Sequence, residues 1–255
     1  MSDTVLAAQL YTLRAFLKTP ADIAATFKKV KKLGYDAAQA SGLGPIEPKE
    51  LRKISDDTGL VICATHVNAQ KAFEQTEQLI EEHKILGCPN SAIGSMPEAA
   101  RRDPVALAKF VKDMERAGRR LREAAMTFSY HNHSFEFEKL GGRLIMDMIY
   151  GDTDPLCVQA ELDVYWVQHG GGDPAAWVRK LAGRQTLLHL KDMTYRRDKT
   201  IFAEVGEGNL NWPPILEAAR AAGVRWYIVE QDECERDPFE SLAISLKNLH
   251  QMGLK

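Results

Sequence analysis

Short runs of apolar and β-branched residues alternate along the whole chain with longer stretches whose apolar residues recur at three- and four-residue spacing. The short runs span 5–13, 35–41, 60–67, 89–94, 127–133, 157–167, 186–191 and 225–230, and read as eight strands. Between them lie amphipathic stretches such as Ile23, Phe27, Val30 and Leu33, or Leu107, Phe110, Val111 and Met114, each predicting a helix that covers one strand. Eight strand and helix units in series predict an α/β protein built as a single (β/α)8 TIM barrel. The shortest unit, about residues 144–150 between the fifth and sixth strands, is expected to span only two turns.

Local punctuation agrees with this division. Gly34, Gly59, Gly87 and Gly223 each stand just before a strand, where a helix ends in the left-handed conformation that glycine adopts without strain. Thr19-Pro20, Glu47-Pro48, Asp103-Pro104, Asp173-Pro174 and Asp237-Pro238 mark helix starts, with a side-chain oxygen able to cap and a proline suited to the first turn. No Ser/Gly-rich linker interrupts the series, so residues 1–255 are expected to form one TIM-barrel domain.

Composition narrows the function rather than the fold. Apolar residues make up 45% and charged residues 27% of the 255, which suits a chain with a large buried core. The 33 basic and 35 acidic residues give a net charge of −2 and are intermixed, so no positive field gathers a nucleic-acid backbone. No apolar run reaches membrane-spanning length and the N-terminus lacks a signal-peptide pattern, so a cytoplasmic protein with no nucleic-acid or membrane partner is expected. Association into a homo-oligomer is compatible with such a surface. Cys63, Cys88, Cys157 and Cys234 lie far apart without CxxC pairing and read as ordinary thiols rather than a zinc or disulfide framework.

In a barrel of this kind, chemistry gathers at the C-terminal ends of the strands. Four such ends are polar here: Tyr130-His131-Asn132-His133 with Glu136, Glu161-Leu162-Asp163, His189 with Lys191-Asp192, and Glu230 with Asp232. Imidazole and carboxylates from successive strands can converge on one divalent ion, and Asp163, His189 and Glu230 are the first three expected ligands. Salt bridges that close the barrel mouth are the competing explanation for each residue taken singly. Lys191, two residues after His189 and so on the same side of a regular strand, is placed to polarise a carbonyl or stabilise an enediolate. His66, Tyr11 beside Gln9, and Trp166 are expected to meet the substrate, Trp166 as a wall against a sugar face, with a hydrogen-bonded rim histidine, a packing tyrosine and a core aromatic as their respective alternatives. Gly206-Glu207-Gly208 lacks a following Gly-Lys-Ser/Thr and so is no P-loop.

Over nearly its whole length the chain resembles the sugar phosphate isomerase/epimerase superfamily, whose fold is the xylose-isomerase-like TIM barrel. The resemblance is carried by Gln9-Leu10-Tyr11-Thr12-Leu13-Arg14, Tyr130-His131-Asn132-His133-Ser134-Phe135-Glu136-Phe137, Glu161-Leu162-Asp163-Val164-Tyr165-Trp166, Leu188-His189-Leu190-Lys191-Asp192 and Val229-Glu230. It implies a divalent metal cofactor (Mn, Mg, Co or Zn) bound by the last four strands, and isomerisation or epimerisation of a small carbohydrate substrate through an enediolate. The chain departs from the superfamily in the fifth strand, where a glutamate is usual and His131 and His133 stand instead. Glu136 is expected as the replacement ligand and, with Glu230, as a proton-transfer group; His131 and His133 are expected at the substrate, with ligation as their alternative. Dehydration of a keto-inositol or 3-keto-glycoside, and a non-catalytic sugar-binding barrel, are the other readings that the same motifs allow.

Overall fold

In the computed structural model, which describes residues 4–255, the eight expected strand regions close into one parallel barrel. We number the strands in chain order: β1 (Val5–Gln9), β2 (Ala37–Ala40), β3 (Val61–Val67), β4 (Asn90–Ile93), β5 (Thr127–His131), β6 (Gln159–Asp163), β7 (Leu187–Leu190) and β8 (Trp226–Val229). Each strand pairs with its sequence neighbours and β1 pairs with β8, so the described strands leave no free edge in the barrel.

The alternation of side chains along these strands decides what fills the barrel. Ala7, Ala37, Cys63, Ala64, Leu187 and Ile228 form a small apolar cluster inside it. Two residues further along their strands, Gln9, Gln39, His189 and Glu230 put polar groups above that plug, as the period of two requires. The opposite strand faces meet the helices in a much larger core that includes Phe27, Phe110, Phe128, Leu162, Leu188 and Val229. The fold therefore places a polar layer over a dry floor, which is where the site lies.

Helix starts follow the sequence signals. Thr19 caps Pro20–Leu33 in a reciprocal box with Asp22, Asp173 accepts the Ala176 N–H, and Asp237 accepts those of Phe239 and Glu240. The short helix Ile145–Gly151 is seven residues long, two turns as expected.

Two strand regions end earlier than the hydrophobic pattern suggests. β1 stops at Gln9, whose side-chain oxygen accepts the Tyr11 N–H and turns the chain into the 3-10 helix Leu10–Phe16. β6 stops at Asp163, which caps the helix Val164–His169 by accepting the Trp166 N–H. Tyr11 and Trp166 consequently stand in mouth turns rather than in strands. The hydrophobic runs 10–13 and 164–167 are core-facing helix, which periodicity alone does not separate from strand.

One feature of the mouth has no counterpart in the strand pattern. After β7 the chain makes an antiparallel ribbon, Asp192–Arg196 with Lys199–Ala203, that lays Phe202 against Tyr165 at 4.4 Å between ring centroids.

Candidate active site

Four strand ends converge at the mouth. Ligating atoms of His131, Asp163, His189 and Glu230 all lie within 4.8 Å of one another, and all four residues are buried. Asp163 and His189 are register partners across β6 and β7, and the Glu230 N–H donates to the Leu190 carbonyl at 3.1 Å, extending the ladder one residue past β8. Asp163 divides its carboxylate between two tasks. Oδ1 caps the following helix, its own N–H is held by Asn132 Oδ1 at 2.9 Å, and Oδ2 pairs with Lys191 Nζ at 3.0 Å while facing His131 Nε2 and His189 Nδ1 at 3.8 Å each.

The charge balance around these groups is unusual for a buried site. Burial pushes Asp163 up to about 6 and His133 down to about 3. Burial and the neighbouring His189 keep His131 well below the ordinary histidine value, as a neutral imidazole. Burial acts against the charge of His189, yet Glu161 and Glu230 outweigh it and hold His189 at about 10. Glu230 is kept ionised against its burial by Lys191 and His189. Lys191 Nζ reaches Asp232 at 2.7 Å, Glu230 at 2.8 Å and Asp163 at 3.0 Å, and these acids keep it charged despite burial.

This donor set fits a divalent ion: two imidazoles and two carboxylates, all buried, with a neutral His131 and an Asp163 oxygen whose partner is the Lys191 ammonium. The buried cluster can hold a metal among Asp163, His189 and Glu230, the three expected positions, and the corner in the fifth strand is taken by His131. Glu136 does not join them. It is fully buried, with Oε1 on the Tyr130 hydroxyl at 2.5 Å and Oε2 on the His133 N–H at 2.8 Å, and burial raises it to about 7. The reason is local: β5 ends at His131, and the 3-10 turn Phe135–Phe137 folds Glu136 back under the loop. The structure thus gives it the place of a support for His133, away from the cluster it was expected to join as a ligand.

A cleft of about 400 Å³ opens over the cluster, lined by Tyr11, His66, His131, His133, Lys191 and Glu230 among others. His66 and His133 thus line this space. Tyr11 does so from the turn after β1, its ring covered by Arg14 at 4.4 Å. Trp166 stands behind this lining, half-buried, with its ring centroid 5.3 Å from that of His133 and 5.5 Å from Lys191 Nζ. It backs the wall rather than forming its face.

Two groups lay outside the roles assigned from sequence: Glu161, named only as part of a polar strand end, and Gln39, not named at all. Glu161 is fully buried, hydrogen-bonds His66 Nε2, and lies 3.2 Å from His189 Nε2; Gln39 Nε2 donates to its other oxygen at 2.8 Å. The signal for Glu161 was its position two residues before Asp163, hence on the same strand face. Gln39 was signalled by standing as a lone amide among the alanines of β2.

The Gly206-Glu207-Gly208 loop also finds its explanation here. Asp192 accepts the N–H groups of Gly206, Gly208 and Leu210 and the Trp212 indole N–H, at 2.6 to 3.2 Å. A Cβ at Gly208 would meet Asp192 Oδ1 at 2.3 Å, so glycine is required by this close approach. The loop is a structural clasp between the β7 ribbon and the next helix.

Among the described residues, no helix is long and apolar enough to cross a membrane. The inosose dehydratase of Lacticaseibacillus casei is 25% identical over 245 residues, covering 81% of this chain and 82% of that relative. A sugar phosphate isomerase/epimerase structure from Parabacteroides distasonis superposes with a TM-score of 0.84 at 26% identity, covering 100% of this chain and 96% of that one. A xylose isomerase-like TIM barrel protein from Mycobacterium smegmatis, in complex with magnesium, gives a TM-score of 0.76 at 13% identity over 97% of this chain and 96% of its own. The model of the xylose isomerase-like TIM barrel family matches residues 27–249, and with the closed barrel described above it shows that this chain belongs to that family.

Proposed function

We propose that this chain is a metal-dependent dehydratase of a small keto-carbohydrate, a keto-inositol or keto-sugar, which removes the proton next to the carbonyl and expels a β-hydroxyl as water. The observation that carries this reading is the asymmetry of the proton-transfer groups. Glu230 faces a histidine, His131, where a two-carboxylate site would offer a second matched base, and an ammonium, Lys191, lies 2.8 Å from Glu230 at the cleft. Epimerisation by exchange between two carboxylates calls for matched bases; elimination calls for one base and one acid. The similarity to inosose dehydratases over four-fifths of the chain supports the same outcome.

His131, Asp163, His189 and Glu230 would hold the ion, and two imidazoles with two carboxylates suit Mn²⁺, Co²⁺ or Zn²⁺ better than Mg²⁺. When bound, it supplies Lewis acidity toward the substrate carbonyl. The remaining steps belong to the protein. Glu230 takes the α-proton as the C–H electron pair becomes the carbon-carbon double bond of the enolate. The enolate oxygen pair then re-forms the carbonyl, the carbon-carbon pair shifts to form the new Cα–Cβ double bond as the β C–O bond breaks, and the departing hydroxide takes a proton from Lys191 and leaves as water. Glu230 returns its proton toward Lys191, with which it already shares an ion pair. His66, His133 and Tyr11 bind hydroxyls along the cleft.

The test is incubation with a keto-inositol and a panel of keto-sugars in deuterated water, with and without Mn²⁺, followed by NMR and mass spectrometry. A metal-dependent product lighter by one water is the expected result. Deuterium incorporation with inversion and no loss of water would make the chain an epimerase, and saturable binding with neither would leave a sugar-binding barrel.

A further inference from the structure

Glu161 lies outside the group of His131, Asp163, His189 and Glu230 but shares His131 and His189 with it, and its surroundings bear on which nitrogen of each histidine faces the cleft. His189 presents Nε2 to Glu161 Oε1 at 3.2 Å and to Gln39 Oε1 at 2.7 Å, while its Nδ1 faces Glu230 at 2.9 Å and Asp163 at 3.8 Å. His131 is mounted the other way round, with Nδ1 3.5 Å from Glu161 Oε1 and Nε2 3.8 Å from Asp163 Oδ2. His66 hydrogen-bonds the same oxygen through Nε2. Glu161 is itself fixed by the Gln39 amide, and Gln39 by Gln9 Nε2 at 2.8 Å.

A neutral imidazole has one N–H and one lone pair, and the acceptor that takes the N–H decides which nitrogen is left to ligate. We propose that Glu161 is a positioning residue that draws the N–H of His189 to Nε2 and that of His131 to Nδ1, so that both lone pairs point to the side shared with Asp163 and Glu230. This rests on the metal-dependent reading above. Glu161 also stands in a second group, with His66, His131 and His189, whose ligating atoms lie within 4.8 Å of one another, so coordination of His189 through Nε2 would mark that lower group as the occupied one. Without it, only the neutral Gln39 oxygen at 2.7 Å would hold the N–H at Nε2 against the anionic Glu230 and Asp163 on the cleft side, which would draw it toward Nδ1 and turn the lone pair away from the ion.

The experiment is nitrogen NMR of isotope-labelled histidine in the Zn²⁺-loaded wild-type protein, with no substrate present. His189 is expected to be protonated at Nε2 and coordinated through Nδ1, and His131 the reverse. Glu161→Gln, which keeps the shape and removes the anionic acceptor, is expected to weaken Mn²⁺ and Zn²⁺ binding by calorimetry about 10- to 100-fold. Coordination of His189 through Nε2, coordination of His131 through Nδ1, failure of the wild type to take up Zn²⁺, or unchanged affinity in a folded Glu161→Gln would each overturn the proposal. The wild-type spectrum decides the matter even where the variant does not fold. Expected histidine states without turnover of any keto-carbohydrate would sink the dehydratase reading and leave the role of Glu161 standing.

Discussion

Replacing Lys191 by Met separates the charge of this site from its packing, because Met keeps an unbranched side chain of similar length and loses the ammonium. Lys191 Nζ lies 2.7 to 3.0 Å from carboxylate oxygens of Asp163, Glu230 and Asp232, and the residue is 1% exposed. At an effective dielectric of about 20, each such contact contributes roughly 6 kcal/mol of attraction, much of it offset by the cost of taking the ammonium out of water. Removing the ammonium leaves acids without their partner, so the expected loss of stability is about 3 to 5 kcal/mol when no metal is present.

The same substitution should act in the opposite direction on metal binding. On the proposed metal site, Lys191 would compete with the ion for Asp163 and Glu230 and repel it, so Lys191→Met is expected to bind Mn²⁺ more tightly than the wild type. Urea unfolding in chelator and in excess Mn²⁺ measures both effects, since a ligand at a hundredfold its Kd adds about 2.7 kcal/mol and a tighter one adds more. The stability gap between variant and wild type should therefore narrow when metal is added. An equal gap in both conditions, or weaker Mn²⁺ binding by the variant, would refute this reasoning. Dehydration should stay low even in the loaded variant, because the proton donor to the leaving hydroxide is gone.

Glu230→Gln should lower metal affinity and slow solvent deuterium exchange into the substrate by about 100- to 10,000-fold, the range for loss of a positioned base, with circular dichroism unchanged. Trp166→Ala should raise KM while metal affinity by calorimetry stays near wild type, because the ring backs His133 without touching the cluster; parallel loss of stability and both kinds of binding would show that it serves the core. Glu136 should reveal itself in the pH dependence of folding. Its folded value of about 7 lies above the ordinary 4.5, so the folded state binds this proton more tightly than the unfolded state. Stability from this group is thus present in acid and lost as pH rises through that window, by about 3 kcal/mol. The difference between wild type and Glu136→Gln in urea unfolding, measured from about pH 5 to about pH 8, should trace that loss, and a flat difference would place the carboxyl in a more polar setting.

The barrel was legible because its signals are local: strand alternation and helix spacing each depend on a few neighbouring residues and marked all eight units, with glycine and proline caps punctuating several of them. Asp163, His189 and Glu230 were legible for the same reason, being polar residues at the ends of apolar runs. Glu136 misled because its charge suggested a ligand while its fate was set by the 3-10 turn that binds it to Tyr130, a contact no spacing rule contains. Tyr11 and Trp166 were displaced by one cap each, Gln9 and Asp163, whose side chains end a strand that hydrophobicity would have continued. Gln39 depends on partners more than 100 residues away in Glu161 and His189, and only barrel closure brings them together.

The exchange of a carboxylate for His131 in the fifth strand bears on how the site is charged. Glu161, Asp163, Glu230 and Asp232 crowd around two cations, the Lys191 ammonium and the His189 imidazolium, so two negative charges in this group lack a partner among those six residues. A divalent ion matches that surplus, and on ligating His189 through Nδ1 it would displace a proton, leaving the group one charge negative. A glutamate in place of His131 would add a further negative charge beside Asp163 and Glu230. The neutral imidazole thus allows Lys191 to remain charged at the cleft without being needed solely to neutralise a third ligand carboxylate. That is the condition under which an ammonium is available to protonate a leaving hydroxide. His131→Glu should accordingly tighten Mn²⁺ binding while slowing loss of water relative to deuterium exchange, measured on one keto-sugar in deuterated water. A variant that binds metal more tightly and also dehydrates faster would show that the proton donor is not Lys191.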